Sequence, residues 1–267
     1  MHIWLYLSCM TNTLPTPQTE KQQIIVSLRL PVYAVLVLWV IKIIEVVAHF
    51  SLSSWGIYPR TLHGLTGIIT APLIHGQARA DDWLGNFSHL FSNTMPLIVL
   101  GFLVLLSYRQ IAARLLTIIW LGSGILVWLF GRPSYHIGAS MIIYGLAFFV
   151  FFSGVFRKDV RSIALASIVV LFYGSMIWGL LPIERGVSWE GHLAGALTGI
   201  ACAHYYRHVN PRKRYDWEIE EEQLAQTQPN DSQPEDPFWA PKPPPSSTST
   251  ILDWEVKYHY IDGNKKE

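Results

Sequence analysis

Six apolar segments, separated by polar connections, constrain this chain more than any other feature. They run roughly from Leu30 to Phe50, His89 to Ser107, Ile111 to Phe130, Ile137 to Phe156, Ile163 to Leu181 and Gly191 to Tyr206. Each is close to the ~20 residues that a helix needs to cross the hydrocarbon core, the last being shorter and less apolar. With 51% hydrophobic and only 15% charged residues among 267, the expected fold class is an all-α membrane protein, a bundle of six transmembrane helices. A formal net charge of +1 argues against nucleic acid as a partner and makes the location of charge more informative than its total. Cys9 and Cys202 supply neither a disulfide framework nor a metal site.

Basic residues set the expected topology. Lys21 and Arg29 precede the first span, Arg109 and Arg114 fall between the second and third, and Arg157, Lys158 and Arg161 fall between the fourth and fifth. Arg207, Arg212, Lys213 and Arg214 follow the sixth, so all these connections share one side, which the positive-inside rule makes cytoplasmic. Both termini are then cytoplasmic, in the inner membrane if the source is bacterial. Residues 1–29 form a cytoplasmic lead-in: Met1 to Met10 is apolar but short, without the basic start of a secretory signal. Residues 30–206 form the membrane domain. Residues 207–267 form a polar, largely disordered tail, with an acidic run at Glu218, Glu220, Glu221 and Glu222 and a Pro- and Ser-rich stretch from Pro237 to Ser247. Near its end Trp254, Val256, Tyr258 and Tyr260 alternate with Glu255, Lys257 and His259 at the period of a strand. That end is either a weakly structured tail or a strand for a partner's sheet edge.

Ser51 to Ser88 is a long outer connection carrying Trp55-Gly56-Ile57-Tyr58-Pro59-Arg60 and an apolar piece from Gly64 to Leu73. Its composition suits a segment half-sunk in the outer leaflet. Lys42 and Glu45 are costly in the first span. Three residues apart on a helix, they can face one another, either as a snorkelling lysine with a paired carboxylate near the outer interface or as part of a proton pathway.

The polar residues at the outer ends of three spans carry the chemistry. Ser140 stands where the loop Gly131-Arg132-Pro133-Ser134 gives way to the fourth span. A serine there is either a cap or a nucleophile beside backbone donors aimed at an oxyanion. The sixth span begins Gly191-His192 and places His192, Gly195 and Gly199 on one face. Small residues at that spacing allow close approach of another helix. If that helix is the fourth, His192 reaches Ser140 as a general base. Tyr144, one turn below Ser140, can stack on the ring. In the second span, His89 and Asn93 share a face at i, i+4 and are either interfacial polar residues capping the helix or the donors of an oxyanion hole. His136, one turn ahead of Ser140, either lines the cavity or, as a loop residue, has a structural role; His204 and His208 have the i, i+4 spacing of metal ligands but suit an interfacial role among aromatic and basic neighbours.

These residues resemble the rhomboid family of intramembrane serine proteases: His89-x-x-x-Asn93, Gly138-Ala139-Ser140 with Tyr144, and His192 with Gly195 and Gly199, in order on spans two, four and six. The resemblance covers roughly Gly56 to Tyr206. It implies a six-helix rhomboid-like bundle with an outward cavity and a Ser140–His192 dyad. It also implies an oxyanion site of His89, Asn93 and the Ser140 N–H. Implied substrates are transmembrane segments of other proteins, cut near the outer face, and no metal or organic cofactor is needed. Two departures follow. Met141 stands where the family usually has glycine and could crowd the interface with the sixth span or the oxyanion site, so a protein that binds membrane helices without cleaving them is the alternative. His75, the nearest histidine before His89, has no assigned role.

Overall fold

The computed structural model describes residues 19–76, 85–183 and 186–209. Met1 to Met10 and every feature of the tail beyond 209 lie outside the described residues. The α-helices are α1 (Glu20–Val47), α2 (Leu62–Thr70), α3 (Gly85–Ser107), α4 (Ala112–Phe130), α5 (Ser140–Arg157), α6 (Val160–Tyr173) and α7 (Trp189–Tyr205). A 3₁₀ turn, Ala71–Leu73, follows α2, and a longer 3₁₀ segment, Gly174–Leu180, continues α6. Five helical stretches are long and apolar enough to cross a membrane: α1, α3, α4, α5 and α6 with its 3₁₀ continuation. The protein is a multi-pass integral membrane protein. Helix α7, of 17 residues, is shorter, and its place in the bundle is secured by packing.

Local sequence explains where the elements start. Helix α1 begins at Glu20, well before the expected Leu30, because Thr19 and Gln22 form a reciprocal capping box. Thr61, Asp159 and Ser188 each accept a backbone N–H at the first turns of α2, α6 and α7. Helix α2 leaves Leu62 and Ile69 exposed while Gly64 and Gly67 are buried. A Cβ on either glycine would collide with backbone of the 56–58 segment. Two indole N–H groups fasten α2 to α4, Trp120 to the Ile68 carbonyl (3.0 Å) and Trp128 to the Thr61 carbonyl (2.8 Å), which satisfies both donors away from water.

The core is centred on α5, whose Ile142, Ile143, Leu146, Phe149 and Val150 pack with Leu100, Val104, Leu115 and Ile119. Glycines set the spacing between α5 and α7: at Gly195 a side chain would strike the Met141 carbonyl, and at Gly199 the Gly145 carbonyl. The two backbones therefore touch, as small-residue packing allows. One expectation is corrected. Lys42 does not snorkel, because it is 1% exposed, fully enclosed beside Glu45. The pair lies where α1 meets the following connection, and both groups find partners there.

Candidate active site

The connection between α1 and α3 shapes the loop that leads into α5. Ile57 and His136 exchange both backbone hydrogen bonds (3.0 and 2.9 Å) as an isolated antiparallel bridge. The Gly138 N–H donates to the Ala71 carbonyl at 2.9 Å, and the Ala139 N–H donates to His75 Nε2 at 3.1 Å. Gly138 has φ +108°, a conformation side chains rarely adopt, and His89 Nε2 lies 2.8 Å from where its Cβ would stand. Glycine is thus required twice at this position, by the backbone and by the imidazole.

Ser140 is the first residue of α5, and the N-cap is Ala139, with no side-chain cap. The Ser140 hydroxyl is therefore not consumed in capping. It is half-buried and lines a cavity of about 960 Å³ that is also lined by His89, Asn93, Tyr144 and His192. All five polar residues nominated from the sequence on spans two, four and six come to this one cavity. Among the described residues Ser140 Oγ is not hydrogen-bonded to His192, and such bonds are commonly loose before substrate arrives.

His192 is held in one orientation. Its Nδ1 stands 2.8 Å from the Gly179 carbonyl. A carbonyl only accepts, so Nδ1 carries the proton and Nε2 is the basic nitrogen. Tyr144 lies flat on the ring, centroids 4.1 Å apart and planes 7° from parallel, and the Tyr144 hydroxyl donates to the Met176 carbonyl at 2.9 Å. The 3₁₀ segment after α6 thus supplies two carbonyls that fix the tyrosine and the imidazole. Asn93 Nδ2 donates one hydrogen to the His89 carbonyl at 2.8 Å. An amide nitrogen has a second N–H.

Comparison with known proteins bears on this arrangement. Residues 62–209 match the family described as "Rhomboid domain", more than half of the chain. The chain belongs to the rhomboid family. Uncharacterized proteins of Mycobacterium tuberculosis strain H37Rv and of Mycobacterium bovis are each 34% identical over 200 residues, covering 71% of this chain and 80% of the relative. One from Mycobacterium leprae is 33% identical over 177 residues, 62% of this chain and 66% of the relative. No solved structure matches.

The departures from the rhomboid pattern take definite places. Met141 is 2% exposed and packs in the main core cluster. It does not line the cavity, and its Cβ lies 3.9 Å from where a Cβ on Gly191 of α7 would stand. His75 is buried on the Ala139 amide and edge-on to His89, centroids 5.5 Å apart. Accepting at Nε2 makes Nδ1 its protonated nitrogen, and burial followed by the neighbouring His89 holds its pKa down at about 3.

Sequence reasoning missed a latch between the two loops that open α5 and α7. His136 Nε2 donates to the Arg132 carbonyl (3.1 Å), so Nδ1 accepts from the Ser188 hydroxyl at 2.6 Å. Ser188 Oγ in turn accepts the Gly191 N–H at 3.2 Å. Arg132 donates to the Val187 carbonyl at 2.7 Å and pairs with Glu190 at 3.5 Å. The available signal was His136, one turn ahead of Ser140. Its pKa is lowered by burial, which outweighs the Arg132 carbonyl hydrogen bond and the Glu190 carboxylate.

Proposed function

We propose that this rhomboid is an intramembrane serine endopeptidase that cuts transmembrane segments of other membrane proteins. The observation that carries the reading is the orientation of His192: Nδ1–H on Gly179, the ring stacked on Tyr144, and Nε2 as the basic nitrogen, in a cavity shared with Ser140. In this mechanism Ser140 Oγ attacks the substrate carbonyl and His192 Nε2 takes its proton. The imidazolium then returns the proton to the leaving amine, and water admitted by the cavity hydrolyses the acyl-enzyme by the same route in reverse. The Ser140 N–H at the start of α5, with His89 and Asn93 side-chain donors, stabilises the oxyanion. Donors of this kind are typically worth ~10²–10³ in kcat each.

The family in general consists of serine intramembrane proteases, which supports the reaction class. The positive-inside distribution supports both termini on the cytoplasmic side, α7 as the sixth span, and a cavity opening to the outer face. A protein that binds membrane helices without turnover was suggested by Met141. The position of that side chain in the core, away from the cavity, favours turnover.

The test is cleavage of a model transmembrane substrate in liposomes. Ser140→Ala and His192→Ala should each abolish it while leaving Tm within a few degrees. Cleavage retained by Ser140→Ala would overturn the proposal. Met141→Gly should leave kcat within about threefold, since the Met141 side chain is buried in the core and does not line the cavity.

A further inference from the structure

Lys42 and Glu45 take no part in the chemistry just proposed. A buried ion pair in hydrocarbon is expensive and rarely improves stability over apolar side chains of similar size. What the two groups do with their remaining hydrogen-bonding capacity is therefore informative. Lys42 Nζ donates to Glu45 Oε2 at 3.1 Å and to the Gly76 carbonyl at 3.3 Å. Glu45 Oε1 accepts the Leu52 N–H at 2.7 Å. One turn of α1 thus grips the connection to α3 at two points, 52 and 76.

Between those points the connection carries the three residues that mould the approach to Ser140: Ile57 on His136, Ala71 on Gly138, and His75 on Ala139. Gly76 is the peptide neighbour of His75, and Ala139 is the peptide neighbour of Ser140. A short path therefore runs from the Lys42 ammonium through Gly76 and His75 to the amide next to the nucleophile.

We infer that Lys42 and Glu45 are positioning residues, a clamp that fixes the 52–76 segment and through it the Gly138-Ala139-Ser140 turn. The kinetic part of this inference rests on Ser140 being the nucleophile; the structural part does not. Releasing Gly76 frees His75, the Ala139 amide loses its acceptor, and the Ser140 hydroxyl and N–H lose their fixed direction. Substrate contacts elsewhere in the cavity are untouched, so kcat falls and KM does not.

The test uses the full chain in detergent and in liposomes. The double variant Lys42→Met/Glu45→Leu leaves no unpaired buried charge. It should keep Tm within a few degrees, exchange the Ala139 amide hydrogen at least about tenfold faster than wild type, and lower kcat about tenfold or more with KM within twofold. Should the double variant fail to fold, His75→Leu and His75→Gln give the same answer further along the path. Leucine removes the acceptor and should reproduce the faster exchange and lower kcat, whereas glutamine, whose side-chain oxygen can accept from Ala139, should restore both. Wild-type exchange at Ala139 with wild-type kcat in Lys42→Met/Glu45→Leu, or in His75→Leu, overturns the clamp. Faster Ala139 exchange in a protein whose wild type cleaves nothing supports the clamp and refutes the peptidase reading instead.

Discussion

Helices α5 and α6 are consecutive, both apolar and both long enough to span, with α6 counted through its 3₁₀ continuation, yet they are used in opposite ways. Of the apolar window of α5, 61% is buried in the protein, against 11% for α6 and its continuation, the more apolar of the two. The difference follows small residues rather than hydrophobicity. Helix α5 meets α7 through Gly145, Gly195 and Gly199, with backbone against backbone. Helix α6 turns Val170, Leu171 and Phe172 outward and makes its close backbone approach to α5 at its start. There Gly154 faces Ser162 and Ala166, and Asp159 caps the helix. In a bilayer apolar side chains gain nothing from one another over lipid, so close packing decides which helices hold the fixed groups. Ser140 and His192 sit on the tightly packed pair. The peripheral element contributes two backbone carbonyls, at Met176 and Gly179, and its Tyr173 and Met176 line the cavity wall.

The strongest way to break this comparison is Gly195→Val. Its side chain would meet the Met141 carbonyl, which cannot step aside as a flexible side chain would. The cost is expected to be about 3 kcal/mol or more, at the upper end for overpacking, seen as loss of a monodisperse, cooperatively melting protein. Acid should have a graded effect on the same packed region. With the folded pKa of His75 at about 3 and an unfolded value near 6.5, stability is complete above pH ~6.5. Below it the unfolded chain takes up a proton that the folded chain refuses, and stability falls toward pH ~3 by at most about 1.4 kcal/mol per pH unit from this group. The lowered pKa of His136 acts in the same direction. Melting between pH 7.5 and 5 should show Tm falling with pH, and less steeply in His75→Gln. The smallest effect belongs to the other helix: Leu171→Ala, at a side chain 78% exposed, should change stability by no more than about 0.5 kcal/mol.

Much of this was legible in the sequence because the bilayer simplifies it. Apolar runs mark the long helices, and polar residues inside them are rare enough to stand out, which is how Ser140, His192, His89 and Asn93 were found. The weak hydropathy of the last span was legible too, and only its glycine face indicated what holds it. Contacts between residues far apart in sequence left no periodic trace. His75 reaches Ala139 across 64 residues and His136 reaches Ser188 across 52. Lys42 looked like a snorkelling lysine because its partner at 45 was visible from helical spacing, whereas the Gly76 carbonyl that helps enclose it was not. The early start of α1 was hidden for another reason: Glu20 to Arg29 is too polar to read as a span, although Thr19 and Gln22 begin a helix there.

The central claim is that His192 Nε2 activates the Ser140 hydroxyl in their shared cavity. It is tested most directly by exposing folded, detergent-purified protein to a serine-directed fluorophosphonate and locating the adduct by mass spectrometry. The account expects a single adduct on Ser140, formed at least about a hundredfold more slowly in His192→Ala. Folded protein that carries no adduct on Ser140, or one that forms equally fast without His192, would contradict it.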